Sequence, residues 1–197
     1  MPVSRPQEDT YLHKGLRKQL VQILREKGIV NEEVLEAIGN VPRHFFVDSS
    51  LYRQAYDDVD FPITNGRILT RPYYVARNIE LLNLNLYDKV LEIGTGSCYQ
   101  ACVMSAMKAQ VYTIEKDKEE YEMAKYYFFL KNYPLIRRFY GNGMAGLPSF
   151  APFDKIFIAA PVKEAPQALL EQLKPGGIMV FTMEGRTSSK LTSITKP

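Results

Sequence analysis

The sequence predicts a doubly wound α/β fold, a Rossmann-like core with a mostly parallel sheet and an N-terminal helical extension. Three observations carry that prediction. Residues 89–100 (KVLEIGTGSCYQ) pass from an apolar run, Val90, Leu91 and Ile93, into Gly94-Thr95-Gly96-Ser97. That pattern reads as a buried strand, a glycine-rich turn and a helix starting near Ser97. About twenty residues on, the spacing expected of a second strand in such a unit, Val111 to Ile114 form another apolar run that ends on Glu115. Three further strand-like runs, at 136–140, 154–160 and 178–182, then alternate with helical stretches. Such alternation implies βαβ units with right-handed crossovers.

Taken in order, residues 8–27 carry Leu12, Leu16, Leu20, Ile23 and Leu24 at helical spacing, and Gly28 ends that helix. Asn31 is a cap for a second helix reaching about Ala37, with Val34, Leu35 and Ile38 on its apolar face. The charges on these helices read as solvation. Residues 41–72 are loop-rich, with VPRHFFV at 41–47, AYDD at 55–58, Phe61-Pro62-Ile63, Asn65-Gly66 and Arg71-Pro72. So long a loop segment is unusual in a compact domain unless it has a function. A helix over 73–84 leads into the central strand. After Glu115 the pattern predicts a helix over 118–132, a strand over 136–140 and the turn Gly141-Asn142-Gly143. DKIFIAA (154–160) is almost continuously apolar, as a strand covered on both faces should be. A helix over 166–173, a turn over 174–177 and a fifth strand over 178–182 follow. The division expected is 1–72 for the helices and substrate-side loops and 73–197 for the core, within one compact domain.

The composition excludes several classes. With 46% hydrophobic and 24% charged residues, the chain is ordinary for a globular protein. A net charge of +3 is too small to imply a nucleic-acid or membrane partner. No apolar run approaches the ~20 residues that span a bilayer, and the first residues lack a signal-peptide pattern. A cytoplasmic location is the expectation. Cys98 and Cys102 share a helix face, but His13 and His44 lie far off in sequence. Buried free thiols, with no metal, are the reading.

The glycine turn carries the chemistry. Gly94 and Gly96 let backbone approach a ligand closely, the helix N-terminus beyond Thr95 and Ser97 offers N–H donors, and Glu115 is placed to accept from ribose hydroxyls. Two cofactor readings compete, with an unliganded βαβ turn as the bland one. A dinucleotide fingerprint wants glycine at the sixth position, where Tyr99 stands. Glu92 before Gly-x-Gly instead resembles the first motif of S-adenosylmethionine-dependent methyltransferases, whose cofactor has no phosphate.

Four segments together resemble the protein-L-isoaspartate O-methyltransferases: VPRHFFV with the AYD block, FPITNGRILTRPYYVA (61–76), KVLEIGTGSCYQAC, and PFDKIFIAA with the segment to Gly177. The resemblance covers nearly the whole chain from about Leu12. It implies methyl transfer from S-adenosylmethionine to the free carboxylate of isoaspartyl residues in damaged proteins or peptides. Implied cofactor contacts are Glu92, Gly94, Thr95, Gly96, Ser97, Tyr99, Glu115, Lys116, Asn142 and Gly143. Implied substrate contacts are Ile63, Arg67, Leu69, Thr70 and Arg71, with Thr70 as the positioning hydroxyl. The chain departs from the family at Thr70 (usually serine), at Arg67 and Ile68 (usually glutamine and threonine) and at Asn142 (usually aspartate). Asn142 retains an amide oxygen that accepts from the adenine amino group. The departures motivate two rivals: another carboxylate or hydroxyl acceptor, and a cofactor-binding protein without catalysis. An oxidoreductase using NAD is a distant third.

Methyltransferases of this fold usually flank the fifth strand with an antiparallel one, and residues 184–197 hold material for one short strand. An uncovered edge invites pairing. The sequence therefore predicts either a tail strand on that edge or a symmetric homodimer that covers it.

Overall fold

In the computed structural model, the described residues are 8–63, 67–185 and 188–197; the predicted Asn65-Gly66 turn lies outside them. Two helices open the chain. In α1 (Tyr11–Glu26), Thr10 and His13 form a reciprocal capping box. In α2 (Glu32–Asn40), Asn31 Oδ1 accepts the Val34 N–H at 3.1 Å, and the helix runs past the predicted Ala37. Single 3₁₀ turns at Arg43–Phe46, Ser49–Leu51 and Gln54–Tyr56 occupy the loop-rich stretch. A two-stranded hairpin follows, β1 (Phe61–Pro62) against β2 (Ile68–Leu69).

The core is a βαβ succession: α3 (Pro72–Leu82), β3 (Lys89–Ile93), α4 (Tyr99–Ala106), β4 (Gln110–Glu115), α5 (Lys118–Met123), β5 (Ile136–Tyr140), β6 (Phe153–Val162), α6 (Gln167–Glu171), β7 (Leu173–Met183) and β8 (Lys190–Thr195). The sheet order is β5-β4-β3-β6-β7-β8. Every pairing is parallel except the last. Because β3 lies between β4 and β6, its register lines up Glu92 with Thr113 on one side and Phe157 on the other.

Side chains alternate across this sheet as strand geometry requires. Leu91, Ile93, Tyr112, Ile114, Ile156, Ile158, Met179 and Phe181 pack one face. Val90, Val111, Phe157 and Val180 pack the other, in one cluster with Leu20, Leu24, Val34 and Ile38 from the N-terminal helices and Val75, Ile79 and Val103. The helices before residue 72 and the sheet after it therefore share a core.

Three predicted elements change shape. The helix expected over 118–132 is α-helical only to Met123 and continues as 3₁₀ turns at Ala124–Tyr126 and Phe128–Asn132. Tyr127 between them is extended, which turns Phe129 inward against Phe46 at 4.5 Å between ring centroids. Aromatic burial overrides the helical period here. The sixth helix is shorter than expected. The turn expected over 174–177 is instead part of the continuous strand β7, as an irregularity where pairing steps from Phe153↔Leu173 to Lys155↔Ile178.

Of the two covers expected for the β7 edge, the tail strand is present. β8 pairs antiparallel from Ile178↔Thr195 to Met183↔Lys190. We predict slow hydrogen exchange along residues 178–182 in a monomeric sample, and fast exchange once residues 189–197 are deleted. Fast exchange in the intact monomer would refute this pairing.

Candidate functional site

The site begins where β3 leaves the sheet. The Gly94 N–H bonds the Ile114 carbonyl at 2.9 Å, and the backbone then turns through φ +94° at Gly94 and +51° at Gly96. At Gly94 a Cβ would stand 3.1 Å from Ala159 Cβ, so the turn is pressed on β6. At Gly96 a Cβ would meet nothing within 4 Å. That side of the turn is open for a ligand. Helix α4 begins at Tyr99, two residues beyond the expected start, because Cys98 takes a left-handed conformation at φ 66°.

Below the turn lies a buried polar chain. Thr113 Oγ1 donates to Glu92 Oε2 at 2.7 Å, and the Thr95 and Thr113 hydroxyls lie 2.7 Å apart. Glu92 is 2% exposed. Burial pushes its carboxyl up to about 8; the Thr113 bond opposes that rise and the Glu115 charge adds to it. Glu115, at the end of β4, accepts the Gly96 N–H at 3.1 Å and the Asp117 N–H at 2.9 Å. Arg67 from the hairpin reaches it at 3.4 Å and also pairs with Asp117 and Glu120.

A cavity of about 660 Å³ opens beside this turn, within the size range of small-molecule sites. It joins the two halves of the predicted site: Glu92, Gly94, Thr95, Gly96, Ser97 and Tyr99 line it from the cofactor side, and Leu69 and Thr70 from the hairpin. Tyr99 is 1% exposed, its ring edge-on to Phe46 and under the Arg43 guanidinium. Its bulk belongs to the cavity wall and the core. Sequence reasoning missed Asn78 and Gln100, whose amides bond at 3.2 Å in the same wall. Gln100 Nε2 is buried with no hydrogen-bond partner among the described residues. The far wall, from Thr182, Ser189 and Leu191, was also missed, since no motif marks it.

The hairpin is anchored by buried charge. Arg43, 0% exposed, donates from Nε to the Ala55 carbonyl at 2.9 Å and from Nη2 to the Thr70 carbonyl at 2.8 Å. Asp58 takes Lys27 at 2.6 Å and Arg71 at 2.9 Å, and accepts the Tyr73 N–H at the start of α3. Those partners hold its carboxyl down at about 2 against the burial that would raise it. Asp58 thus caps α3, and Thr70 remains exposed at the cavity. Of the two arginines expected at the substrate, Arg71 pairs with Asp58, and Arg67 with Glu115, Asp117 and Glu120. Ile63 closes the hairpin by donating its N–H to the Arg67 carbonyl at 2.8 Å, and it does not line the cavity.

Four expected cofactor contacts also lie outside the cavity wall: Glu115, Lys116, Asn142 and Gly143. Lys116 is exposed. Asn142 Oδ1, the oxygen expected to face adenine, accepts the Met144 N–H at 3.1 Å. At Gly143 a Cβ would stand 2.4 Å from Ile93 Cγ2, so packing on β3 by itself demands glycine there. The cysteines are buried free thiols, and burial pushes Cys98 up to about 12. The two histidines, distant in sequence, stack at 3.7 Å beside Asp9. Their nitrogens meet the Glu8 carbonyl, and Asp9 pairs with Arg17 at 2.7 Å. These groups already serve as structural partners.

Comparison with known proteins places the geometry. The family model described as protein-L-isoaspartate(D-aspartate) O-methyltransferase matches residues 15–197. A protein-L-isoaspartate O-methyltransferase of Cytophaga hutchinsonii is 46% identical over 189 residues, covering 96% of this chain and 85% of that one. One from Christiangramia forsetii is 46% identical over 88% of this chain and 82% of its own. Among solved structures, a protein-L-isoaspartate O-methyltransferase superposes with TM-score 0.82 at 27% identity, covering 91% of this chain and 60% of that one. The Plasmodium falciparum structure, a putative member in complex with S-adenosyl-L-homocysteine, shares the fold at TM-score 0.74 and 22% identity, over 93% and 89% of the two chains.

Glu92 generates a pH prediction. Its folded pKa is raised above the unfolded value, so the folded state holds the extra proton and the Glu92 contribution to stability falls as pH rises from about 4.5 to about 8. In Glu92→Gln this fall should shrink by on the order of 2–4 kcal/mol. Chemical denaturation at pH 5.5 and 8.5 checks it, and equal slopes in both proteins would contradict it.

Proposed function

The chain belongs to the protein-L-isoaspartate O-methyltransferase family, and from that premise we propose that it methylates the free carboxylate of L-isoaspartyl residues in damaged proteins or peptides, using S-adenosylmethionine. The observation that carries this reading is the shared cavity, with the glycine turn on one wall and Thr70 on the other. The residues fit the cofactor: Gly96 leaves open space, and Gln100 presents a buried donor without a partner among the described residues. Gly94, Thr95, Gly96 and Ser97 would hold it by backbone approach, Glu115 by its carboxylate, and Glu92 and Gln100 from the wall. S-adenosylmethionine, when bound, supplies an electrophilic methyl group on a sulfonium.

The remaining work is positioning. A carboxylate is ionised at neutral pH, so no general base is required of the site. Thr70, exposed on a hairpin whose backbone Arg43 fixes, orients the acceptor oxygen by its hydroxyl. The cavity walls from Leu69, Tyr99 and Phe157 reduce water around the reacting groups. Since β8 covers the β7 edge, that edge does not require a second copy. Among the described residues no helix is long and apolar enough to cross a membrane. A cytoplasmic location belongs to the same proposal, and no nucleic-acid partner is assigned.

Two experiments test the reading. S-adenosylhomocysteine at a hundredfold its Kd should stabilise the protein by about 2.7 kcal/mol, while NAD should not, and Gly96→Val should abolish the effect. Stabilisation by NAD alone would overturn the cofactor assignment. Wild-type protein should label an isoaspartyl peptide and spare its aspartyl twin. Thr70→Val should slow that transfer roughly tenfold or more, the scale of one hydrogen bond, with little change in cofactor affinity. Unaltered turnover would reduce Thr70 to a loop residue.

A further inference from the structure

Among the described residues, Arg43 is a buried cation with no ion-paired carboxylate. Its side chain is 0% exposed, and its bonds go to backbone carbonyls: Ala55 at 2.9 Å, Thr70 at 2.8 Å and Leu69 at 3.4 Å. Nη1 has no hydrogen-bond partner among the described residues. The guanidinium lies 4.6 Å from the centroid of the Tyr99 ring. By contrast, Arg67, Arg71 and Arg77 each reach a carboxylate. Tyr99 acts on Arg43 most closely, and the acids acting on it from a distance are Asp58 and Asp60. Asp58 already serves Arg71 and Lys27, and Asp60 accepts the Arg71 N–H. Two carboxylates thus face three cations.

A buried charge is costly unless it is paired, and the location of this one is informative. Leu69, Thr70 and Tyr99, which it touches, all line the cavity, whereas Arg43 stands behind that wall. Its field therefore reaches the acceptor position through Thr70 and Tyr99, across protein in place of water. We propose that Arg43 is a positioning residue whose charge, not ion-paired among the described residues, selects an ionised carboxylate at Thr70, so that the substrate is its direct counter-ion. This rests on the function proposed above and extends it to product release. In the transfer, a carboxylate oxygen–methyl bond forms and the sulfur–methyl bond breaks, its electron pair remaining on sulfur. The negative and positive charges vanish together. A neutral ester is then no longer held by Arg43, and leaves. The same field steadies the carboxylate before transfer more than during it, so Arg43 acts on substrate affinity more than on kcat.

The test is equilibrium binding, with S-adenosylhomocysteine present, of an isoaspartyl peptide and its isoasparaginyl twin, which replaces the carboxylate by a neutral amide. Wild-type protein should prefer the carboxylate roughly tenfold or more, the scale of one charge pair in a partly dry site. Arg43→Gln should bring the preference near unity. Arg43→Lys, which keeps the charge and loses the planar fork, should keep most of it. The shift in Tm on adding S-adenosylhomocysteine reports that each variant retains a folded cofactor site. Equal weakening of both peptides in Arg43→Gln would make Arg43 a brace only and overturn the proposal. So would loss of the preference in Arg43→Lys, or its absence in wild-type protein. Failure of the methylation reading would appear separately, as wild-type protein that binds the carboxylate peptide but does not methylate it.

Discussion

The bond from the Gly94 N–H to the Ile114 carbonyl is the last rung of the β3–β4 ladder, and the site depends on it. Up to that point β3 is covered on both faces and paired on both sides. One residue later it must leave the sheet, turn and start a helix. The same register that ends the ladder sets Glu92 beside Thr113 and brings Glu115 under the Gly96 N–H. A slip of one residue would send both acids to the opposite face, among Leu91, Ile93 and Ile114.

The other half of the site has no ladder of comparable extent. Its hairpin has two residue pairs, Phe61↔Leu69 and Pro62↔Ile68, too few to hold a position in water. Its place comes from charge buried at its base. Arg43 fixes the Leu69 and Thr70 carbonyls, and Asp58 ties Lys27, Arg71 and the first turn of α3 together. Lys27 follows α1, so the N-terminal helices reach the substrate side through an ion pair as well as through the shared core. Positioning here is tertiary from the start.

That difference explains what could be read from the sequence. The sheet was legible because a strand buried on both faces writes itself as an unbroken apolar run, as DKIFIAA does. The glycine turn was legible because its backbone angles require glycine at Gly94 and Gly96. Arg43 was visible only as part of VPRHFFV, since nothing local reveals that its fork closes on carbonyls 12, 26 and 27 residues away. Asp58 caps a helix from 15 residues upstream, beyond the reach of any cap pattern. Gly143 was assigned to the cofactor because Gly141-Asn142-Gly143 resembles the family's glycine-aspartate-glycine. Its near contact with Ile93 supplies a packing reason that no one-dimensional pattern contains. The helix over 118–132 failed for a related reason: burying Phe129 against Phe46 mattered more than the continuity of helical residues.

The stacked histidines of the N-terminal region have a consequence for heat measurements. Burial and the neighbouring His13 push His44 down to about 4, so below about pH 6.5 the unfolded chain takes up a proton that the folded one refuses, and stability falls with acid. Glu92 has the opposite imbalance, holding in the fold a proton that the unfolded chain gives up. Between about pH 4.5 and 6.5 the two nearly cancel, and unfolding exchanges little net acid with the buffer. Between about 6.5 and 8 the Glu92 proton is released on unfolding without that offset. The calorimetric enthalpy of unfolding near neutral pH then carries the buffer's own ionisation heat, and changes with the choice of buffer at constant pH.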